Sequence, residues 1–136
     1  MRITSLLDFA HGDNLDTARG EVAFFLIGEL ANLLDIDPKT IRFYEREGLL
    51  SPERHGKFRV FKPKDAHRLR AILRFRKFGL SLSSIREIFS KRQVDSDIFE
   101  QQEFTTDVLK NQLGILRTER ESLDRAISDI ARLLEQ

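Results

Sequence analysis

The sequence predicts a mainly α fold: two short helices joined by a tight turn, a small ribbon, two further helices and one long C-terminal helix. Three observations carry that expectation. Apolar residues recur at helical spacing in short runs punctuated by Pro38, Gly48, Pro63 and Gly79. Basic side chains concentrate in the middle of the chain, in residues 38–77. From Leu109 to Leu134 an apolar stripe steps alternately by four and three residues, with no proline to interrupt it.

The first helix is read over Gly28–Leu34, after an extended lead-in at Phe25–Ile27, with Leu30, Ala31 and Leu34 on one face. The "DID" that follows breaks the period. Asp37 is a good N-cap and Pro38 suits the first helical position, where a missing N–H costs nothing. A second helix then runs to about Arg46, and Gly48 supplies its stop. Two short helices around a tight turn make a helix-turn-helix. In "SPERHGKFRVFKP", Phe58 to Phe61 alternate like a strand and His55-Gly56 reads as a turn, which gives a two-stranded wing. Pro63 opens a helix through about Phe78, with Leu69, Ile72, Leu73 and either Phe75 or Arg76 around it. Ser81 caps the next, whose stripe is Leu82, Ile85, Ile88 and Phe89. After a polar break at "QVDSD", residues 103–136 form one helix of roughly 50 Å. The organisation is therefore an N-terminal arm over 1–24, read as loop or disorder, a winged helix-turn-helix over 25–95 and a dimerisation helix over 100–136.

Leu109, Leu113, Leu116, Arg120, Leu123, Ile127, Ile130 and Leu134 form the seam of that helix, and seven of the eight are apolar. So narrow a stripe on so long a helix calls for a partner, most simply a second copy of the chain. The competing reading is a helix folded back on the preceding domain. Arg120 is the one charged member; it either snorkels past the seam or pairs across subunits with Glu119, Glu121 or Asp124 and fixes the register.

The formal net charge is only +1, but it is unevenly placed. Residues 1–37 carry −5, residues 78–136 carry −3, and residues 38–77 set thirteen Lys and Arg against four acids for +9. A block of that sign and size suits a polyanion, although a solvated basic face would read the same way. The second helix adds specificity. Ile41 and Tyr44 fall on one side, toward Leu30 and Leu34. Lys39, Arg42, Phe43 and Arg46 fall on the other at i, i+3, i+4 and i+7, with Thr40 beside them. Arg and Lys can bond phosphates or guanine edges, and an aromatic can meet a sugar or a thymine methyl, so this face suits a DNA major groove. Arg54, Lys57 and Arg59 on the ribbon would meet the neighbouring backbone or minor groove.

"IGELANLLDIDPKTIRFYEREGLL" and "FRVFKPKDAHRLRAILRFRKFGLSLSSIREIF" together resemble the MerR family of bacterial transcription regulators over about residues 25–92. The family pattern is an I-G-E-L-A helix, a T-I-R-Y-Y-E helix with G-L-L, a Y-R-x-Y wing, a D-x-x-R-L helix and a G-x-S-L-x-x-I-R helix. The resemblance implies a homodimer joined by an antiparallel coiled coil, binding a pseudo-palindromic promoter site and reshaping the duplex. It places Lys39, Thr40, Arg42, Phe43, Tyr44, Arg46, Arg59, Phe58 and Phe61 toward DNA. RNA polymerase at the promoter is a further partner it implies, and the cytoplasm, at the nucleoid, the compartment. Phe43, Phe58 and Phe61 stand where the family usually has tyrosines, and Val60 where a second arginine is common.

Other classes find little support. There is no cysteine, so thiolate metal sites, disulfides and thiol chemistry are excluded for these residues, and His11, His55 and His67 share no ligand spacing. No cofactor and no metal are expected. No nucleophile–base pair or phosphate loop suggests an enzyme. The N-terminus does not read as a signal peptide, and no apolar run reaches the ~20 residues a membrane span needs. The 136 residues leave no room for an appended effector domain, so a signal would act through a protein partner, the arm, a small ligand at the dimer interface or protein abundance. Two other readings stay open: a coiled-coil adaptor with non-specific DNA anchoring, and an excisionase-like architectural protein that bends DNA.

Overall fold

A computed structural model describes residues 24–91 and 98–136, with side chains throughout except in 98–102. The arm, apart from its last residue, and the "QVDSD" break lie outside the described residues. The elements run α1 (Ile27–Leu34), α2 (Pro38–Arg46), β1 (Glu53–His55), β2 (Phe58–Val60), α3 (Pro63–Lys77), α4 (Leu82–Ser90) and α5 (Ile98–Leu134).

Each helix begins where its sequence can satisfy the orphan N–H groups of a first turn. Asp37 accepts from the Lys39 N–H at 2.8 Å and starts α2, with Pro38 directly behind it. Ser81 Oγ accepts from the Ser84 N–H at 3.1 Å and starts α4. In α1 and α3 the cap works in reverse. Glu29 accepts from the Leu26 N–H at 3.0 Å, and Asp65 from the Lys62 N–H at 2.8 Å. Neither Leu26 nor Lys62 has a side-chain acceptor to complete a reciprocal capping box.

The turn after α1 is unusual: Asp35 takes a left-handed backbone, φ 53°, which Asp tolerates better than most residues. Its neighbour Ile36 donates to Ala31 O at 3.0 Å, and this closes the helix. At the end of α2, Gly48 does the same with φ 76°, and Leu49 N–H reaches back to Tyr44 O at 2.9 Å.

One core joins the first four helices and the wing. Leu30 and Ala31 of α1, Ile41 and Tyr44 of α2, Leu69, Ile72 and Phe75 of α3, and Ile85, Ile88 and Phe89 of α4 are all buried. Phe75, not Arg76, is the inward residue of α3, and its ring meets Phe89 edge-on at 6.4 Å. Arg76 is exposed and donates to Leu80 O at 3.0 Å.

The wing is an antiparallel pair with Glu53 opposite Val60, Arg54 opposite Arg59 and His55 opposite Phe58. Its turn is Gly56-Lys57, one residue later than the sequence suggests. Phe25 and Phe61 exchange two backbone hydrogen bonds of 2.8 Å each, so the chain ahead of α1 is laced to the end of β2.

The long helix starts against α4 and then leaves the core. Thr105 is buried, while Phe104, Val108 and Leu109 pack on the core. Gln112 Nε2 donates to Phe78 O at 2.7 Å, and this amide lies so near the Gly79 backbone that a Cβ there would meet it at 2.9 Å. From Leu113 onward every residue is exposed. The apolar side chains left open are Leu113, Ile115, Leu116, Leu123, Ile127, Ile130, Leu133 and Leu134. Leu109, at the point where α5 leaves α4, is half-buried and packs in part on the core of its own chain.

Two stability outcomes follow from this packing. Ile72→Ala, at a position with no exposed surface, is expected to cost about 2–5 kcal/mol, read as a lower denaturant midpoint with an unchanged slope. Asp37→Ala is expected to cost about 1 kcal/mol through the lost cap. Losses below a few tenths in either variant would contradict the packing and the cap described.

Candidate nucleic-acid interface

Helix α2 is divided lengthwise. Ile41 is wholly buried and Tyr44 is 6% exposed, so both rings and branches belong to the core. Lys39, Arg42 and Arg46 are exposed on the opposite face, with Thr40 and Phe43 half-buried at its margins. Phe43 packs partly on the core and meets Tyr44 edge-on at 5.2 Å. The Tyr44 ring lies inward, as helical spacing predicts, since it is turned the same way as Ile41. Phe61 is corrected from its expected place toward DNA. Its exposure is zero, because its bridge to Phe25 ends β2 inside the fold. Phe58, three residues earlier, is 65% exposed and stays available, lining an apolar hollow with Phe24, Leu26, His55 and Val60.

The basic side chains fall into two groups. Lys39, Arg42, Arg46 and, at the wing tip, Lys57 make no side-chain ion pair or hydrogen bond among the described residues. Arg54 and Arg59 are engaged. Arg54 donates to Glu45 Oε1 at 3.2 Å, and Arg59 Nε lies 2.6 Å from Glu45 Oε2. That second contact is close but misaligned for a hydrogen bond, and neither of the two buried atoms has another hydrogen-bond partner. It is a contact of charges more than of oriented dipoles.

The base of the wing is tied separately. Lys62 Nζ pairs with Glu53, and that hydrogen bond and charge, with a smaller contribution from His55, hold the Glu53 carboxyl below its ordinary pKa.

The C-terminal end of α2 is held by two arginines from distant helices. Arg68 of α3 donates through Nε to Leu49 O at 2.6 Å, while its guanidinium lies 4.3 Å over the Phe89 ring. Arg86 of α4 donates to Glu47 O at 3.0 and 3.2 Å and to the Glu47 carboxylate at 2.5 Å. Cations at this end also complement the helix dipole. Glu45, Arg68 and Arg86 are the residues that reading by periodicity misses. Their signal lay in the motifs: Arg68 is the arginine of "DAHRL", Arg86 that of "SLSSIR", and Glu45 ends "TIRFYE".

Among the described residues no three His, Asp or Glu side chains gather as a metal site, and no helix is long and apolar enough to cross a membrane.

Comparison with known proteins gives one consistent result. Residues 25–92 match the description "MerR HTH family regulatory protein". The chain is similar to the HTH-type transcriptional regulator ZntR of Escherichia coli (strain K12), 41% identical over 70 residues, half of each chain. It is also similar to the HTH-type transcriptional regulator HmrR of Rhizobium leguminosarum bv. viciae, 30% identical over 108 residues, 79% of this chain and 76% of that one. It spans about half the length of the first of these relatives. The crystal structure of PbrR691 from Ralstonia metallidurans CH34 in complex with lead(II) shares 31% identity, with a TM-score of 0.58 over 78% of this chain and 84% of that one. HiNmlR, a MerR family regulator lacking the sensor domain and bound to promoter DNA, shares the fold at 24% identity and a TM-score of 0.61, over 78% and 80%. On the match to residues 25–92 and the likeness to HmrR, the chain belongs to the MerR family of helix-turn-helix regulatory proteins.

Proposed function

We propose that the chain is a transcriptional regulator that binds promoter DNA as a homodimer, with α2 in the major groove and the wing tip on the adjoining backbone. The observation that carries this reading is the free face of α2. Lys39, Arg42 and Arg46 project side by side without partners among the described residues, on a helix whose other face and both ends are anchored. Lys57 extends the same unpaired positive charge to the hairpin turn. A cation with no partner inside the protein is the kind a phosphate or a guanine edge can take without first breaking a contact. Family membership supports the same reading, and relatives that are transcription regulators support a role without catalysis. A cytoplasmic site of action at the nucleoid goes with it.

Helix α5 supports the dimer. Beyond Gln112 it carries an open apolar stripe, with Leu123 and Ile127 each 64% exposed and Ile130 57%. Burying these side chains against an antiparallel copy would yield about 1.5–3 kcal/mol for each one fully covered. Arg120 lies within that stripe, without an ion pair among the described residues, and is offered to an acid of the second copy. The same stripe on a foreign helix would make the chain an adaptor, and the oligomeric state separates the two.

Four measurements bear on this reading. Sites selected from genomic DNA should show two-fold symmetry, and the full chain should sediment as a dimer that Ile127→Glu dissociates. A wild-type monomer without site preference would overturn the proposal in favour of the adaptor. Arg42→Ala should cost about 1–3 kcal/mol on the selected site and relax its specificity, measured by anisotropy titration. Lys57→Ala should weaken binding to selected and scrambled duplex alike and reduce the slope of log affinity against log salt by about 1.

A further inference from the structure

We infer that Glu45 is a positioning residue, which clamps both wing arginines to the reading helix and withholds them from the DNA backbone. The inference rests on the DNA-binding reading above and adds a division of labour to it. Arg54 and Arg59 stand directly opposite each other in the β1–β2 ladder. Like charges at facing positions repel and would splay so short a hairpin. One carboxylate resolves the conflict: Oε1 takes Arg54 at 3.2 Å and Oε2 takes Arg59 at 2.6 Å. Glu45 is one residue before the end of α2, and its side chain is only 17% exposed. Its contact with Arg59, itself 30% exposed, is therefore shielded better than an ordinary surface pair, whereas that with Arg54, 57% exposed, stays open to solvent.

Geometry gives this contact its consequence. An isolated two-stranded hairpin is marginally stable and sets no angle of its own against a neighbouring helix. Here the far side of the wing is fixed by the Phe25–Phe61 bridge and the near side by Glu45. Together they set how far Lys57, at the turn, stands from Lys39, Arg42 and Arg46. That separation decides which phosphate the wing meets when α2 is seated in the groove. The trio of Glu45, Arg54 and Arg59 carries one net positive charge in place of two, so the hairpin's free cation is Lys57.

The test uses the full chain, a selected genomic site and a scrambled duplex, titrated by fluorescence anisotropy across a range of salt. Arg54→Gln with Arg59→Gln leaves Glu45 in place. In that double variant the uncovered Glu45 lowers affinity for scrambled duplex, but the salt slope there should stay within about 0.5 of wild type, since no held phosphate is lost, whereas the ratio of selected to scrambled affinity should fall about tenfold or more. If both arginines instead held phosphates, the slope would drop by about 1.8, at 0.9 for each phosphate, and the inference would be overturned. Glu45→Gln, nearly the same shape, should do the opposite to scrambled duplex: tighter binding, a steeper slope and lost discrimination. A Glu45→Gln chain that weakens on both duplexes in equal proportion would mark a merely structural residue and also overturn it. Thermal unfolding supplies an arm without DNA, in which the melting shifts of Glu45→Gln and Arg59→Gln should fail to add. Additive shifts would sink the clamp by themselves. A wild type that treats both duplexes alike, with non-additive melting, would instead overturn the functional reading and leave the contact standing.

Discussion

A helix that offers one face to solvent must be held by the other face and by its ends, and α2 spans only nine residues. Its interior side gives it two buried anchors, Ile41 and Tyr44. That is too little to fix a rod of about 14 Å. Its last carbonyls close on the backbone N–H groups of Glu47, Gly48 and Leu49, and it is this closing turn that the rest of the fold ties down. Arg68 and Arg86 come from elements 19 and 39 residues further along the chain and donate to the carbonyls of Leu49 and Glu47. Asp37 and Pro38 hold the other end. Much of α3 and α4 can be understood as scaffolding for those two donations: Leu69, Ile72, Ile85 and Ile88 bury the helices so that the guanidiniums arrive where the chain turns.

The same economy separates charge by role. Residues 38–77 carry thirteen basic side chains, yet the structure gives them different tasks. Some are spent inside the protein, as with Arg54 and Arg59 on Glu45, Lys62 on Glu53 and Arg68 on Leu49 and Phe89. Lys39, Arg42 and Arg46 on α2 and Lys57 at the hairpin turn, like Lys64 and Lys77 on α3, carry no such contact among the described residues. Net charge alone describes attraction to a polyanion; the distribution of partners describes which cations are free to act on it.

Local chemistry was legible in the sequence, and long-range contact was not. Asp37, Pro38, Gly48 and Ser81 mark boundaries because capping and left-handed turns act over a few residues, and the structure places them accordingly. Helical spacing separated Ile41 from Arg42 correctly. It could not tell that Phe61 ends β2 inside the core, because the partner is Phe25, thirty-six residues earlier. A period-two strand also looks the same whichever phenylalanine faces inward. Spacing turns the Tyr44 ring inward, and its burial agrees. Leu109 fits the heptad and also packs in part on the core, since a stripe continues across the point where a helix leaves its domain. Glu45 reads as one acid in a basic block until the hairpin folds beside it.

The hydrogen bond from Gln112 to Phe78 has a mechanical meaning. It lies just before α5 projects alone, and the missing Cβ of Gly79 makes room for the Gln112 amide. About 33 Å of helix lies beyond it. A tilt of roughly 10° at that point carries the far tip through about 6 Å, close to two base-pair steps of a duplex. In the homodimer proposed above, the join at Gln112 would act as the fulcrum of a caliper, and its seating would set how far apart the two α2 helices are held.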